Sequence, residues 1–325
     1  MRRATFAVAV AVAAAAALIA LPSRAFVRST GDNGRCLWWR QPTGIPVVAH
    51  LNDGPTGAGC AGQEQVSSLI RDSLATWGAS ARQGQPCSSV RFDYLGPTAV
   101  KATGFDQAAG APNENLIVFR HGVCSGNPAC GADLEACADQ IGCWPHDTGS
   151  RTIAITTTSY RPDTGEIVDA DMELHDHSVA EVGFFFTCAS AGAYCGRGVE
   201  PTGSCVSTDA GSILTHEAGH MLGLDHPPDK PDATMFATYT PGSLDLRDLD
   251  VDDVNGICTV YPAGGSPRTT CSGGSSTVPP PPNPPRNSSD GGGCSTATAG
   301  VLSMLGVAVA LGSRRRRRQD TITPA

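Results

Sequence analysis

The segment 216–226 constrains the fold of this chain more than any other feature of its sequence. His216 and His220 are four residues apart, so a helix places both imidazoles on one face, where they can hold one metal ion. Gly223 can adopt a positive φ, which ends the helix and lets the chain turn sharply. That turn brings back His226 as a third ligand. The segment therefore predicts a helix, a tight turn and a metal site as one unit.

Glu217 directly follows the first of these histidines. There its carboxylate can take a proton from a metal-bound water. Three imidazoles leave the fourth position of a tetrahedral zinc ion open for water, which is typical of catalytic rather than structural zinc sites. The sequence thus predicts His216, His220 and His226 as zinc ligands and Glu217 as the general base.

Together with the residues downstream, this segment resembles the matrixin branch of the metzincin metallopeptidases. Residues 233–236 resemble the Met-turn of that family, and residues 249–257 resemble its last helix. Astacins and serralysins carry a Tyr two residues after the Met; Ala237 stands there in this chain, which favours the matrixin branch. The resemblance implies a zinc metalloendopeptidase that acts on protein or peptide substrates. It also places Met235 in an apolar turn beneath the metal, as support for the third His.

The apolar pattern upstream predicts a mixed α+β domain. Residues 63–77 carry apolar side chains at a helical period, and several β-branched or alternating segments indicate strands. The resemblance implies the zincin (metzincin) fold: a twisted mixed β-sheet over an active-site helix at 212–222, with a small C-terminal subdomain after Gly223. The predicted strands are 46–51, 90–94, 115–119, 151–158 and 167–174.

Three carboxylates alternate along the last of these strands, which we expect to be half exposed. Asp169, Asp171 and Glu173 share one face, an arrangement that favours either Ca²⁺ binding or a solvated surface. His175 and His177 form a second pair on one strand face. A polar strand end is the favoured interpretation of that pair, and a structural zinc is left unassigned.

Cysteine usage indicates an exported protein. The chain has 13 cysteines, and apart from Cys294 they lie between Cys36 and Cys271. The remaining even number predicts a disulfide framework of unknown connectivity. A second zinc on Cys124, Cys130, Cys137 and Cys143 is the alternative, but their spacings exceed those of zinc knuckles, which favours disulfides.

The N-terminal 25 residues are typical of a secretory signal peptide. A basic start precedes an Ala/Val/Leu-rich stretch, and small residues follow near a cleavage site before Phe26. A membrane anchor is the alternative, which the short apolar stretch disfavours. We expect the catalytic domain to span residues 26–262.

The C-terminal region divides into a spacer and a tag. Residues 263–293 are rich in Gly, Ser and Pro and cannot bury a core. Residues 294–325 contain Cys294, an apolar stretch at 297–311 and five arginines at 314–318. This arrangement resembles the MYXO-CTERM type of surface-sorting tag. The resemblance implies processing and lipid attachment at Cys294, transient membrane association, and a secreted or surface location. The charge of the five arginines would keep them on the cytoplasmic side. An ordinary tail anchor is the alternative.

The charge of the chain limits its partners. Residues 36–262 carry 11 Lys and Arg against 28 Asp and Glu, a net of −17. Such an acidic surface disfavours nucleic acid and anionic membranes. We expect a monomer. A catalytically silent, zinc-containing surface binding or adhesion module is the alternative function, and a zinc hydrolase of non-peptide amides is a further rival. Intact Glu217 argues against the first, and the third His and Met-turn argue against the second.

Overall fold

The computed structural model of the protein describes residues 26–51, 60, 62–111, 113–146, 152–176, 185–196, 199, 201 and 205–271, and the backbone alone at 315–320 and 323–324. Among these residues, none of the helices combines the length and the apolar character that a membrane span requires. The predicted signal peptide, Cys294 and the apolar stretch 297–311 lie outside the described residues.

Four helices and a short 3₁₀ helix at Asp245–Arg247 accompany the strands in the described ranges. The helices are α1 Gln63–Gly78, α2 Leu134–Ile141, α3 Ala210–Met221 and α4 Val251–Val260. The strands are β1 Val27–Arg28, β2 Thr43–His50, β3 Ala81–Arg82, β4 Gln85–Pro86, β5 Arg91–Pro97, β6 Leu116–His121, β7 Ala154–Tyr160, β8 Ile167–Asp176, β9 Phe186–Thr187, β10 Thr208–Asp209, β11 Leu224–Asp225, β12 Thr238–Tyr239, β13 Arg315–Asp320 and β14 Thr323–Pro324.

A mixed sheet forms the centre of the fold, in the order β13-β7-β8-β6-β2-β5. The pairs β2–β5, β2–β6 and β6–β8 are parallel, whereas β7 runs antiparallel to β8. Helices α1 and α3 pack against each other, and α3 also contacts β7 and β8. The five predicted strands and the helix at 63–77 are all present, so the predicted α+β class is confirmed.

Helix α1 packs against α3 through one face. Val66, Ile70, Leu74 and Trp77 are buried on it, at the three- and four-residue spacing that aligns side chains along a helix. Trp77 Nε1–H donates to the carbonyl oxygen of Thr215 on α3 at 2.8 Å. The contact ties the two helices together beside the predicted metal site.

The N-terminal segment of the described chain packs against the turn after α3. Strand β1 pairs antiparallel with β11, and the backbone N–H of Ser29 donates to the carbonyl oxygen of Gly223 at 2.9 Å. The backbone N–H of Phe26 donates to Asp252 Oδ1 on α4 at 3.2 Å. The first residues of the predicted catalytic domain therefore pack against the C-terminal subdomain that follows Gly223. The sequence pattern did not predict this contact.

All twelve cysteines between Cys36 and Cys271 form disulfides, which confirms the predicted framework. The crowded cluster pairs within itself, so its sulfur atoms are not a zinc site. Helix α2, which the sequence analysis did not predict, lies in this cluster; it begins after Asp133, which accepts from Ala136 N–H, and ends at Gly142 with φ +81°. The six bridges are Cys36–Cys271, Cys60–Cys188, Cys87–Cys258, Cys124–Cys143, Cys130–Cys137 and Cys195–Cys205.

Strand β8 is buried on both faces, so the expectation of a half-exposed strand is wrong. Its neighbours β6 and β7 cover both of its edges, and its carboxylates find protein partners. Glu173 Oε2 accepts from Arg120 Nε at 2.8 Å, and Glu173 Oε1 lies 3.2 Å from His146 Nε2. Asp171 accepts from the backbone N–H groups of Leu116 and Gly104. A solvated acidic face is therefore excluded.

The last described strands, β13 and β14, belong to the C-terminal tail. The backbone of β13 pairs antiparallel with the outer edge of β7, with Gln319 opposite Thr156. The backbone of β14 pairs parallel with β12. The sorting-tag interpretation of residues 294–325 stays a prediction.

Candidate metal centre

Helix α3 carries the first two predicted ligands through the core. Its first turn is capped by Asp209, whose Oδ2 accepts from Ser212 N–H at 2.7 Å. Arg247 holds the same carboxylate through Nε at 2.7 Å and Nη2 at 2.5 Å. Every residue of α3 is buried. The Asp209 cap, its ion pair with Arg247 and the burial of the helix together fix the N-terminus of α3. The side chains of His216 and His220 therefore project from a rigid helix.

The structure brings the three predicted zinc ligands together. His216 Nε2 lies 3.1 Å from the Nε2 atoms of both His220 and His226, and the last two are 3.0 Å apart. Nitrogen ligands 2.0–2.1 Å from a tetrahedral ion lie about 3.3 Å from one another, so this spacing suits a single Zn²⁺. The donor set of three imidazoles fits the ion that the sequence predicts.

Backbone carbonyl groups orient two of these rings. His216 Nδ1 lies 2.5 Å from the carbonyl oxygen of Thr234, and His220 Nδ1 lies 2.9 Å from that of Leu224. A carbonyl oxygen only accepts, so each Nδ1 carries the proton and each Nε2 presents its lone pair. Burial, and then the charges of neighbouring histidines, lower the pKa of His216 and His226 well below the usual value. Both rings are therefore neutral, as metal ligands must be.

Gly223 produces the turn that returns the chain to the site. Its φ is +81°, and a Cβ atom there would lie 2.6 Å from the carbonyl oxygen of Leu37. A larger residue would be strained and would also clash with the backbone. The turn directs β11 back along α3, and His226 follows directly after β11. The predicted role of Gly223 is therefore supported by two independent constraints.

Glu217 is buried beside this cluster and contacts the sheet. Its Oε2 atom accepts from the hydroxyl of Thr156 on β7 at 2.6 Å. The sequence analysis did not identify Thr156, because it lies 61 residues upstream in a β-branched strand in which four consecutive residues are Ser or Thr. Only the packing of β7 against α3 brings this particular hydroxyl to Glu217.

Met235 lies under α3, at the point where Gly219 lacks a side chain. A Cβ atom at Gly219 would overlap Met235 Sδ and approach Trp77 Cζ2 to 2.6 Å. Asp253 Oδ1 accepts from Met235 N–H at 3.1 Å and so holds the turn from α4. Met235 thus packs as a buried apolar support, with no polar contact from its sulfur among those seen in the described chain.

In the described part of the chain, neither the three carboxylates of β8 nor the histidine pair after it forms a cluster of metal ligands. There, the carboxylate oxygens of Asp169, Asp171 and Glu173 do not converge within 4.8 Å of one another. Burial, and then the charge of Asp169, raise the pKa of Asp171 well above its usual value. His175 is buried and stacks on Trp144, and His177 lies outside the described residues. The calcium site thus stays a prediction.

Comparisons with known proteins place this geometry in a family context. Residues 145–262 match the profile of the matrixin family. This region is matrixin-like. It contains α3, all three histidines and the Met-turn, and the predicted metzincin fold is confirmed.

Curated relatives match over short stretches. Metalloendoproteinase 4-MMP of Arabidopsis thaliana is 42% identical over 67 residues, which cover 21% of this chain and 18% of that protein. Macrophage metalloelastase of Oryctolagus cuniculus is 47% identical over 49 residues, 15% and 10% of the two chains. Matrix metalloproteinase-27 of Homo sapiens is 47% identical over 58 residues, 17% and 10%. The chain spans less than a fifth of the length of these relatives.

Proposed function

We propose that this chain is an exported, zinc-dependent endopeptidase that hydrolyses peptide bonds in protein substrates. The observation that carries the proposal is the convergence of the Nε2 atoms of His216, His220 and His226 within 3.1 Å of one another. The buried Glu217 directly follows the first of them on α3. The matrixin-like region and the metalloproteinase names of the relatives support it.

His216, His220 and His226 would hold the zinc ion and leave a coordination position open. When bound, zinc acidifies a coordinated water and polarises a carbonyl group. Glu217 accepts the proton of the attacking water and then passes it to the nitrogen of the leaving amine as the peptide bond breaks. Met235 and Gly223 shape the turn that carries His226. Thr234 and Leu224 keep the first two imidazoles in the tautomer that presents Nε2.

The remaining features define where the enzyme acts. The acidic catalytic region favours protein over nucleic-acid partners. Six disulfides fit an oxidising compartment outside the cell. With the signal peptide at 1–25 and the tag at 294–325, we propose a monomeric surface or secreted enzyme, processed at Cys294. Structural Ca²⁺ at Asp169, Asp171 and Glu173 is a weaker proposal, because Arg120 already neutralises Glu173.

The test uses residues 26–280 with oxidised cysteines, so that Cys271 is present to pair with Cys36. Cleavage of casein is measured with and without a zinc chelator, alongside Glu217→Ala and His226→Ala. We expect chelator-sensitive cleavage that both variants lack. Glu217→Ala should retain one zinc ion per chain, whereas His226→Ala should bind zinc more weakly.

Folded, zinc-loaded protein that cleaves neither casein nor a broad peptide library would refute an endopeptidase of general specificity. That result would support the alternative of a surface binding module. Cleavage that persists in Glu217→Ala would instead assign the proton transfer to another group.

A further inference from the structure

The hydroxyl of Thr156 makes a short hydrogen bond to the carboxylate of Glu217. The Oγ1–Oε2 distance is 2.6 Å, which lies in the range of charge-assisted O–H···O⁻ bonds. Both side chains are fully buried. Thr156 Oγ1 also lies 3.3 Å from the backbone oxygen of Glu217. This residue of the sheet thus contacts both the side chain and the backbone of the predicted general base.

Thr156 is itself held in a fixed position. It lies in the middle of β7, opposite Met172 of β8, and its neighbours Ile155 and Thr157 also pair with β8. A β-branched side chain in a strand has few accessible rotamers. The hydroxyl is therefore presented to Glu217 from a rigid strand, while Glu217 is presented from a rigid helix.

Glu217 needs such an anchor because a glutamate side chain has several rotatable bonds. The helix fixes only its Cα position, and a buried carboxylate without a donor is strongly unfavourable. Reactive groups must be held to within about 0.5 Å of their productive position, and a displacement of about 1 Å can reduce the rate about 10²-fold.

We propose that Thr156 is a positioning residue for the reaction, whose hydroxyl holds the Glu217 carboxylate in the orientation required for proton transfer. This inference rests on the proposed function. Thr156 does not contact the scissile bond in this role and does not bind the metal; it acts only through Glu217.

The same strand offers a matched control. Thr158 lies two residues along β7, so its side chain points to the same side of the sheet, and it is equally buried. Its hydroxyl makes no hydrogen bond within the part of the chain that the structure describes. Thr158→Val therefore makes the same chemical change as Thr156→Val in the same strand, without removing a contact to Glu217.

The experiment compares Thr156→Val, Thr156→Ala, Thr156→Ser and Thr158→Val in the chain beginning at Phe26. We expect Thr156→Val to lower kcat by about 10²-fold while KM changes less than about twofold. Thr156→Ser retains the hydroxyl and should keep kcat within about fivefold of the parent. Thr158→Val should match the parent in both constants.

Two readouts do not depend on turnover. Zinc affinity, measured by chelator competition, should change less than about threefold in Thr156→Val, because the ligands are untouched. In the metal-free protein, Thr156→Val should shift the urea unfolding midpoint less in a Glu217→Met background than in the parent. Such non-additivity is expected of two residues in direct contact.

Several results would overturn the inference. Equal kcat in Thr156→Val and the parent would do so, as would a folded Thr156→Ser as slow as Thr156→Ala. If Thr156→Val fails to fold, the comparison of kcat between Thr156→Ser and Thr156→Ala tests the inference instead. A folded, zinc-loaded parent that cleaves no peptide refutes the proposed function instead, and the coupling in the metal-free protein then decides alone whether the hydroxyl holds Glu217.

Discussion

The carboxylate of Asp253 holds the peptide of Thr234 in place. Asp253 Oδ2 accepts from Thr234 N–H at 2.7 Å, and the carbonyl oxygen of Thr234 accepts in turn from His216 Nδ1 at 2.5 Å. The same carboxylate caps α4, because Oδ2 also accepts from Asp250 N–H at 3.0 Å. One buried side chain of the last helix therefore connects that helix, the Met-turn and the first predicted ligand.

Asp253→Asn should change how stability depends on pH. Burial, opposed by these hydrogen bonds, raises the pKa of Asp253 from 3.8 to about 6. Since the folded-state value lies above the unfolded value, the contribution of this group is full below about pH 4 and is lost as the pH rises through about 6. Between about pH 4 and pH 7, we expect the free energy of unfolding of the metal-free parent to fall by on the order of 2–3 kcal/mol. The Asp253→Asn variant should not show this loss. Urea unfolding at a series of pH values measures the difference, and identical slopes would contradict it.

Gly219→Ala should destabilise the protein. Alanine favours a helix over glycine by about 1 kcal/mol, but its Cβ would overlap Met235 Sδ and crowd Trp77. We expect the clash to prevail, with a net loss of roughly 2 kcal/mol in the free energy of unfolding. Gly131→Ala is the control, because a Cβ there meets no atom within 4 Å. Thermal unfolding of the two variants tests this, and a more stable Gly219→Ala would show that Met235 can move aside.

Arg247→Met should also destabilise the protein, through the carboxylate that it leaves unpaired. Asp209 is fully buried, and Arg247 is its ion-pair partner at 2.5 Å. Breaking such a buried pair costs about 3 kcal/mol or more. Arg91→Met removes the exposed pair with Asp93 and should change stability by less than about 0.5 kcal/mol. Equal effects of the two substitutions in chemical unfolding would mean that Asp209 finds another partner.

Removal of residues 272–325 should raise activity. In the full chain β13 pairs with the outer edge of β7, and β14 pairs with β12, which follows the Met-turn. Residues 272–314 join this tail to Cys271. We expect kcat/KM on a peptide substrate to rise several-fold on truncation, because β7 contacts Glu217 through Thr156 and the tail would no longer cover the edge of that strand.

A synthetic peptide of residues 314–325 provides the complementary measurement. It should inhibit the truncated form competitively, and a scrambled peptide of the same composition should inhibit less. Equal activity of the full and truncated chains, with no inhibition by the peptide, would show that the tail does not occupy this edge in solution.

Local spacing was sufficient to predict the centre of the site. His216, Glu217 and His220 lie within one helical turn, and Gly223 fixes the direction of the chain over the next three residues to His226. Backbone geometry alone relates such neighbours, so the sequence predicted their convergence. The strands were predicted for the same reason, because the alternation and β-branching that indicate them are local properties.

The sequence by itself determined the helix, the turn, the three histidines, the cysteine framework and the α+β class. Only the tertiary structure decided which hydroxyl of β7 contacts Glu217, which carbonyl groups orient the histidines, how the cysteines pair and that β8 is buried on both faces. These features join residues tens to hundreds of positions apart. Such contacts depend on strand register and helix packing, which are set by the whole core rather than by any single segment.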